Sequence, residues 1–257
     1  MCSVIYAVTK ISKRWGNEIG GMIASLPWVA GPILVFITVE QGVSFAKNTI
    51  EGVMMGMIAW LAFCFTYMYV GERKSAVISL LFSYMSYIIV GYVLTLPTGQ
   101  ISVHLWYAIT MLFVILAVFK FPSIESFSNT TFRTLQYDIP LRMIAITTFV
   151  LSITYFAQTL GPIWSGILTP FPIMTAVLAF FTHITQGISG TKLILRGMLA
   201  GIVGFTMFLY LQYFLLEKSS LPVAMSIGLI VNLLVTFIAS KLLFRYYDKT
   251  MTQDKIN

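Results

Sequence analysis

The feature that most constrains this chain is that part of it occurs twice. Shifted by 145 positions, residues 16–75 fall on 161–220 without a gap, and thirteen of the sixty pairs are identical. Roughly four or five would match by chance at this composition. The identical pairs include Gly21/Gly166, Pro27/Pro172, Gln41/Gln186, Gly42/Gly187, Lys47/Lys192, Gly52/Gly197, Gly56/Gly201 and Glu72/Glu217. Apolar bias does not explain matches of that kind. The spacing reads as an internal duplication, so a fold built from two copies of one unit is expected.

Composition sets the solvent for that unit. The 257 residues are 58% hydrophobic and 10% charged, against about 25% charged in a soluble domain. Several apolar runs of 18 or more residues are long enough to cross a hydrocarbon core of about 30 Å. The expected fold class is an all-α polytopic membrane protein. A barrel would need short alternating strands, and none is visible. Residues 1–15 lack the sustained apolar run of a cleavable signal peptide. Cys64 lies in an apolar run and reads as a small buried thiol. The net charge of +7 reports orientation in such a protein, and no nucleic-acid partner is expected.

The apolar runs predict about eight membrane helices, near 19–39, 49–71, 76–96, 102–119, 141–159, 164–184, 195–215 and 221–244. The first repeat spans 1–121, a polar cytoplasmic linker 122–140, and the second repeat 141–257. With eight crossings, fourteen Lys and Arg fall on one face and only Lys47 and Lys218 on the other. That asymmetry places both termini in the cytoplasm, for a multi-pass protein of the cytoplasmic (inner) membrane. Making 19–39 and 164–184 re-entrant would weaken the split to ten against six. An odd number of crossings separates 19–39 from 164–184, so the copies are expected to be inverted-topology repeats, as in secondary transporters and some channels. The counterpart of 141–159 would end near residue 14, where only Cys2 to Thr9 is apolar. Loss of that helix from the first copy is the reading preferred over a start upstream of Met1.

Each copy carries a Pro-broken helix. Residues 25–32 read Ser-Leu-Pro-Trp-Val-Ala-Gly-Pro, and 170–177 read Pro-Phe-Pro-Ile-Met-Thr-Ala-Val. Proline removes a backbone donor and frees carbonyls within the bilayer. Ser25, Pro27, Gly31 and Pro32, with Thr169, Pro170, Pro172 and Thr175, are therefore candidate substrate-binding residues near the midplane. A packing kink satisfied by neighbouring helices accounts for the same prolines. A second shared pattern, Gln-Gly-x-Ser-x-x-Lys, follows each broken helix. Gln41 and Lys47, with Gln186 and Lys192, are candidate gate residues at opposite membrane faces. A plain helix–turn–helix corner, with Ser44 capping the next helix, explains the pattern equally. Glu40 and His183 are candidate proton-coupling groups, because ionisable side chains are scarce at membrane depth. The alternative places both in water at helix ends. Gly52-x-x-x-Gly56 and Gly197-x-x-x-Gly201 predict close helix packing. His104 is expected to anchor at the interface, and Asn232 to bind helix to helix.

No metal-binding cluster, phosphate loop or nucleophile motif is present, so no enzyme activity, cofactor or metal is expected. The leading expectation is a small secondary transporter that exposes one site alternately, with membrane lipid and a small-molecule solute as partners. A passive channel or facilitator is the first alternative. A non-transporting membrane subunit or lipid-handling protein is the second. The sequence does not fix substrate, coupling ion, direction or oligomeric state.

Overall fold

The computed structural model describes residues 14–96, 101–122 and 161–253, with isolated positions at 8–12 and 144–159 and no side chains beyond 243. The linker 122–140 lies outside or at the edge of these residues, and the expected helix 141–159 falls almost wholly outside them. Every regular element among the described residues is helical. The order is α1 (Asn17–Ala24), α2 (Ala30–Gln41), α3 (Val43–Gly71), α4 (Ala76–Thr95), α5 (Val103–Phe119), α6 (161–168), α7 (Ile173–Lys218) and α8 (Leu221–Gln253). Four helical stretches are long and apolar enough to cross a membrane: Val43–Gly71, Ala76–Thr95, Gly161–Lys218 and Leu221–Leu243. Ala30–Gln41 and Val103–Phe119 are shorter apolar helices.

Proline and glycine punctuate the helices where the sequence places them. The break between α1 and α2 covers Ser25–Val29 around Pro27, and the break between α6 and α7 covers Thr169–Pro172. Pro32 stands third in α2, within the first turn, where its missing N–H costs no intrahelical bond. Gly42 separates α2 from α3 with φ 87° and ψ 167°. Gly187 bends α7 with φ 76° and ψ −177°. Both conformations lie in a region that is essentially glycine-only. α7 therefore consists of a limb at 173–186 and a longer limb at 188–218.

α3 and the long limb of α7 form the interior. Phe63 and Phe208, which are 145 residues apart, are both fully buried. α4 and α8 fold back on them after short turns at Glu72–Ser75 and Ser219–Ser220. Their outer faces expose Leu81, Phe82, Ile88 and Ile89 on α4, and Ile230, Leu234, Phe237 and Ile238 on α8. Apolar faces of this extent are matched to hydrocarbon rather than to water. The described residues thus form an all-helical assembly with the apolar surface of a membrane protein.

Candidate functional site

The two copies adopt the same local geometry. Among the described residues the positive-φ glycines form pairs at the 145-residue offset: Gly16 with Gly161, and Gly42 with Gly187. Turns within the helix breaks also repeat. Trp28 N donates to Leu26 O at 2.7 Å, as Ile173 N donates to Phe171 O at 2.7 Å. Gly31 N donates to Pro27 O at 2.9 Å, as Ala176 N donates to Pro172 O at 2.7 Å.

The contacts between copies are exchanged in the same way. Lys47, near the start of α3, pairs with Glu217, near the end of α7, at 2.5 Å. Lys192, near the start of the long limb of α7, pairs with Glu72, just past the end of α3, at 2.6 Å. Start meets end twice, so the two helices run antiparallel. Glycines allow the close approach between them and the opposite broken helix. A Cβ on Gly52 would stand 3.0 Å from the Gly166 Cα, and one on Gly56 2.6 Å from the Pro170 side chain. Reciprocally, a Cβ on Gly197 would stand 2.9 Å from the Glu18 Cα, and one on Gly201 2.6 Å from the Ser25 Cβ. α1 thus packs on the long limb of α7, and α6 packs on α3.

Where these four elements meet, the two helix breaks face one cavity of about 90 Å³. Its wall takes in Ser25, Pro27, Thr169, Pro170 and Thr175 from the candidate residues. Gly31 and Pro32 line a neighbouring groove instead, and Pro172 is buried off the cavity wall. Three hydroxyls supply the cavity's side-chain polarity together with Trp60. Ser25 Oγ donates to Met22 O at 2.6 Å and Thr169 Oγ1 to Ser165 O at 2.7 Å, so both can still accept. Thr175 Oγ1 accepts from Trp60 Nε1 at 2.8 Å and keeps its own proton to donate. The site offers neutral acceptors and one neutral donor, with no charged side chain on its wall.

Backbone carbonyls contribute less than the prolines suggested. Ile23 O takes both Leu26 N and Trp28 Nε1, while Ile167 O takes the Tyr87 hydroxyl. Local turns occupy the carbonyls of Leu26, Pro27, Leu168, Phe171 and Pro172. The breaks are closed by short-range bonds, leaving side chains to define the cavity.

The candidate gate residues are not on this wall. Lys47 and Lys192 hold the two ion pairs, and the Lys47 Nζ also lies 4.8 Å from the Tyr213 ring centroid. Gln186 Oε1 accepts from Asn17 Nδ2 at 2.6 Å, and Asn17 also reaches Gly190 O at 3.1 Å. Beside them Arg196 pairs with Glu18. Gln41 ends α2 half-buried, and Glu40 is exposed beside it. His183 Nδ1 lies 3.4 Å from the Tyr67 hydroxyl, on the first limb of α7. Ser44 does not cap α3: it is the second residue inside the helix, and Gly42, which has no side chain to cap with, stands at the N-cap.

Trp60, Phe205, Met57 and Ile202 line the cavity without having been singled out in the sequence. A usable signal existed. Trp60 and Phe205 are 145 residues apart, as are Met57 and Ile202, and they follow the two Gly-x-x-x-Gly pairs by one to four residues. His104, at the start of α5, brings its Nδ1 to 2.9 Å from the Tyr210 hydroxyl. Asn232, expected to join helices, has a buried amide with no hydrogen-bond partner. Among the described residues no group of three or more His, Cys, Asp or Glu is placed to hold a metal ion. Compared with protein-family models, curated proteins and solved structures, the chain matches none.

Proposed function

We propose that this chain is a small secondary transporter in which two inverted repeats expose a shared central site alternately to the two membrane faces. The observation that carries the reading is the exchanged pair of ion pairs, Lys47–Glu217 and Lys192–Glu72. Each joins the start of one copy's long helix to the end of the other's, as an inverted repeat requires. Supporting it, the apolar helical stretch Gly161–Lys218 has 58 residues, far more than the ~20 that one crossing needs. Its bend at Gly187 divides it into stretches at 161–186 and 188–218, each longer than one crossing needs. With the eight crossings read from the apolar runs, the charge asymmetry orients both termini to the cytoplasm and puts Lys192 and Glu72 on the inner face and Lys47 and Glu217 on the outer face.

In this mechanism each ion pair is a latch. Opening one lets the copies tilt apart at that face, while the glycine contacts act as the pivot and the opposite latch holds. Two copies of one fold supply two conformations of similar energy, which population shift by a solute requires. The cavity's neutral lining suits a small uncharged or amphipathic solute. Glu40 and His183 are the groups to test for proton coupling, and unchanged pH dependence in both Glu40→Gln and His183→Ala removes them from that role.

The test is reciprocal access. A cysteine at Thr175, with Cys2 and Cys64 replaced by Ser, is labelled from each side of a sealed vesicle. Glu72→Gln should raise inner and lower outer labelling, and Lys47→Gln should do the reverse. Labelling that rises from both sides together in either variant supports a passive channel instead.

A further inference from the structure

The two halves differ at one place in a way that points to a ligand. Between α2, the first helix break and α8 lies a groove of about 570 Å³, inside the range of roughly 300–1,000 Å³ typical of small-molecule sites. Its polar side-chain groups are the Trp28 indole N–H, already bonded to Ile23 O, and the amide of Asn232, which is fully buried and whose oxygen and nitrogen both lack partners. Phe36, Leu229 and Leu233 on its rim are exposed on the membrane-facing surface. Leu26 and Pro27 belong both to this groove and to the central cavity, so the two spaces share a wall at the helix break.

The equivalent place in the other half is filled by the protein itself. The counterparts of Leu26, Leu229 and Asn232 at the 145-residue offset are Phe171, Tyr84 and Tyr87. Phe171 stacks on Tyr84 with ring centroids 5.2 Å apart and meets Tyr87 edge-on at 5.1 Å. The Tyr87 hydroxyl donates to Ile167 O at 2.5 Å. Three aromatic rings and a satisfied hydroxyl thus stand where the first half has two leucines, a void and an unpartnered amide. The same backbone plan has been closed on one side and left open on the other.

Depth selects the occupant. Asn232 is eleven residues from each end of the apolar stretch Leu221–Leu243, so its amide lies about 16 Å from either end. The ester groups of a bilayer phospholipid lie at the edges of a hydrocarbon core about 30 Å thick, out of reach of that amide. We infer that the groove is a lateral entry site for a neutral amphipathic solute, an aliphatic body bearing one hydroxyl or carbonyl that Asn232 binds at the bilayer midplane. An amide both donates and accepts, and so suits either group. As the route to the central cavity, the groove rests on the transport reading; as a binding site it stands without it.

The full chain, reconstituted in dioleoylphosphatidylcholine vesicles, is irradiated with hexadecanol carrying a diazirine and an alkyne. A phosphatidylcholine with the same diazirine in one acyl chain is the comparator. Hexadecanol should label peptides containing Phe36, Leu229 or Leu233, saturably and in competition with unlabelled hexadecanol. Asn232→Leu should reduce that labelling about tenfold and leave phosphatidylcholine labelling unchanged. The triple variant L26F/L229Y/N232Y, which copies the filled half, should abolish it. Equal labelling by both probes, or hexadecanol labelling indifferent to Asn232→Leu, would overturn the inference and leave a lipid-filled crevice. Capture without reciprocal access at Thr175→Cys keeps the groove and removes the transport reading. Reciprocal access without capture does the opposite.

Discussion

Gly16, Gly42, Gly161 and Gly187, with φ between 73° and 95°, fix four of the bends in this chain, and they make the duplication testable residue by residue. Gly42→Ala and Gly187→Ala each force a side chain into a backbone region that only glycine occupies readily, at a cost of about 1–3 kcal/mol. Each should lower the thermal midpoint of the solubilised protein. Gly31→Ala is the control. A Cβ there meets only the Pro27 Cβ at 3.8 Å, so the change should be neutral or stabilise by up to ~1 kcal/mol. Asn232→Leu should also raise the midpoint, since an unpartnered buried amide costs about 1–3 kcal/mol. Stability gained together with hexadecanol capture lost is the pattern expected of a binding residue rather than of one that joins helices.

Among elements, the decisive contacts are the glycine crossings and the two ion pairs. Gly166→Val places a branched side chain where a Cβ alone would lie 2.7 Å from the Gly52 Cα. Overpacking of this kind costs about 1–3 kcal/mol, read as a lower midpoint of thermal unfolding. The ion pairs act differently. Lys192 is mostly buried, at 11% side-chain exposure, while Glu72 is 44% exposed. A partly exposed pair contributes about 0.5–1 kcal/mol, so Glu72→Gln should change labelling rates only about two- to fivefold. Restoring the pair in reversed polarity, Glu72→Lys with Lys192→Glu, should recover most of the original rate.

Much of this arrangement was legible at the offset of 145. The paired glycines, prolines, lysines and glutamates carry backbone geometry and exchanged contacts, which duplication preserves in the letters themselves. What stayed hidden depends on packing. Nothing in the sequence says that Lys47 reaches Glu217 rather than Glu51 nearby, because that partner comes from the other copy. The carbonyls freed by Pro27 and Pro172 looked available, yet short turns and the Trp28 and Tyr87 side chains occupy many of them. Asn232 looked like interhelical glue because burial of an amide normally implies a partner. In the structure that partner is missing.

At the scale of the whole molecule, alternating access depends on the copies crossing the membrane in opposite directions. Antiparallel packing of α3 on the long limb of α7 is what opposite crossings would produce. Ser44 and Ser189 sit at equivalent places, two residues beyond Gly42 and Gly187, and Ser44 is exposed. With Cys2 and Cys64 changed to Ser, single cysteines at these two positions are treated with a membrane-impermeant thiol reagent from each side in turn. Inverted repeats predict that Ser44→Cys labels only from outside and Ser189→Cys only from inside. Labelling of both from the same face would make the copies parallel and contradict alternating access between inverted repeats.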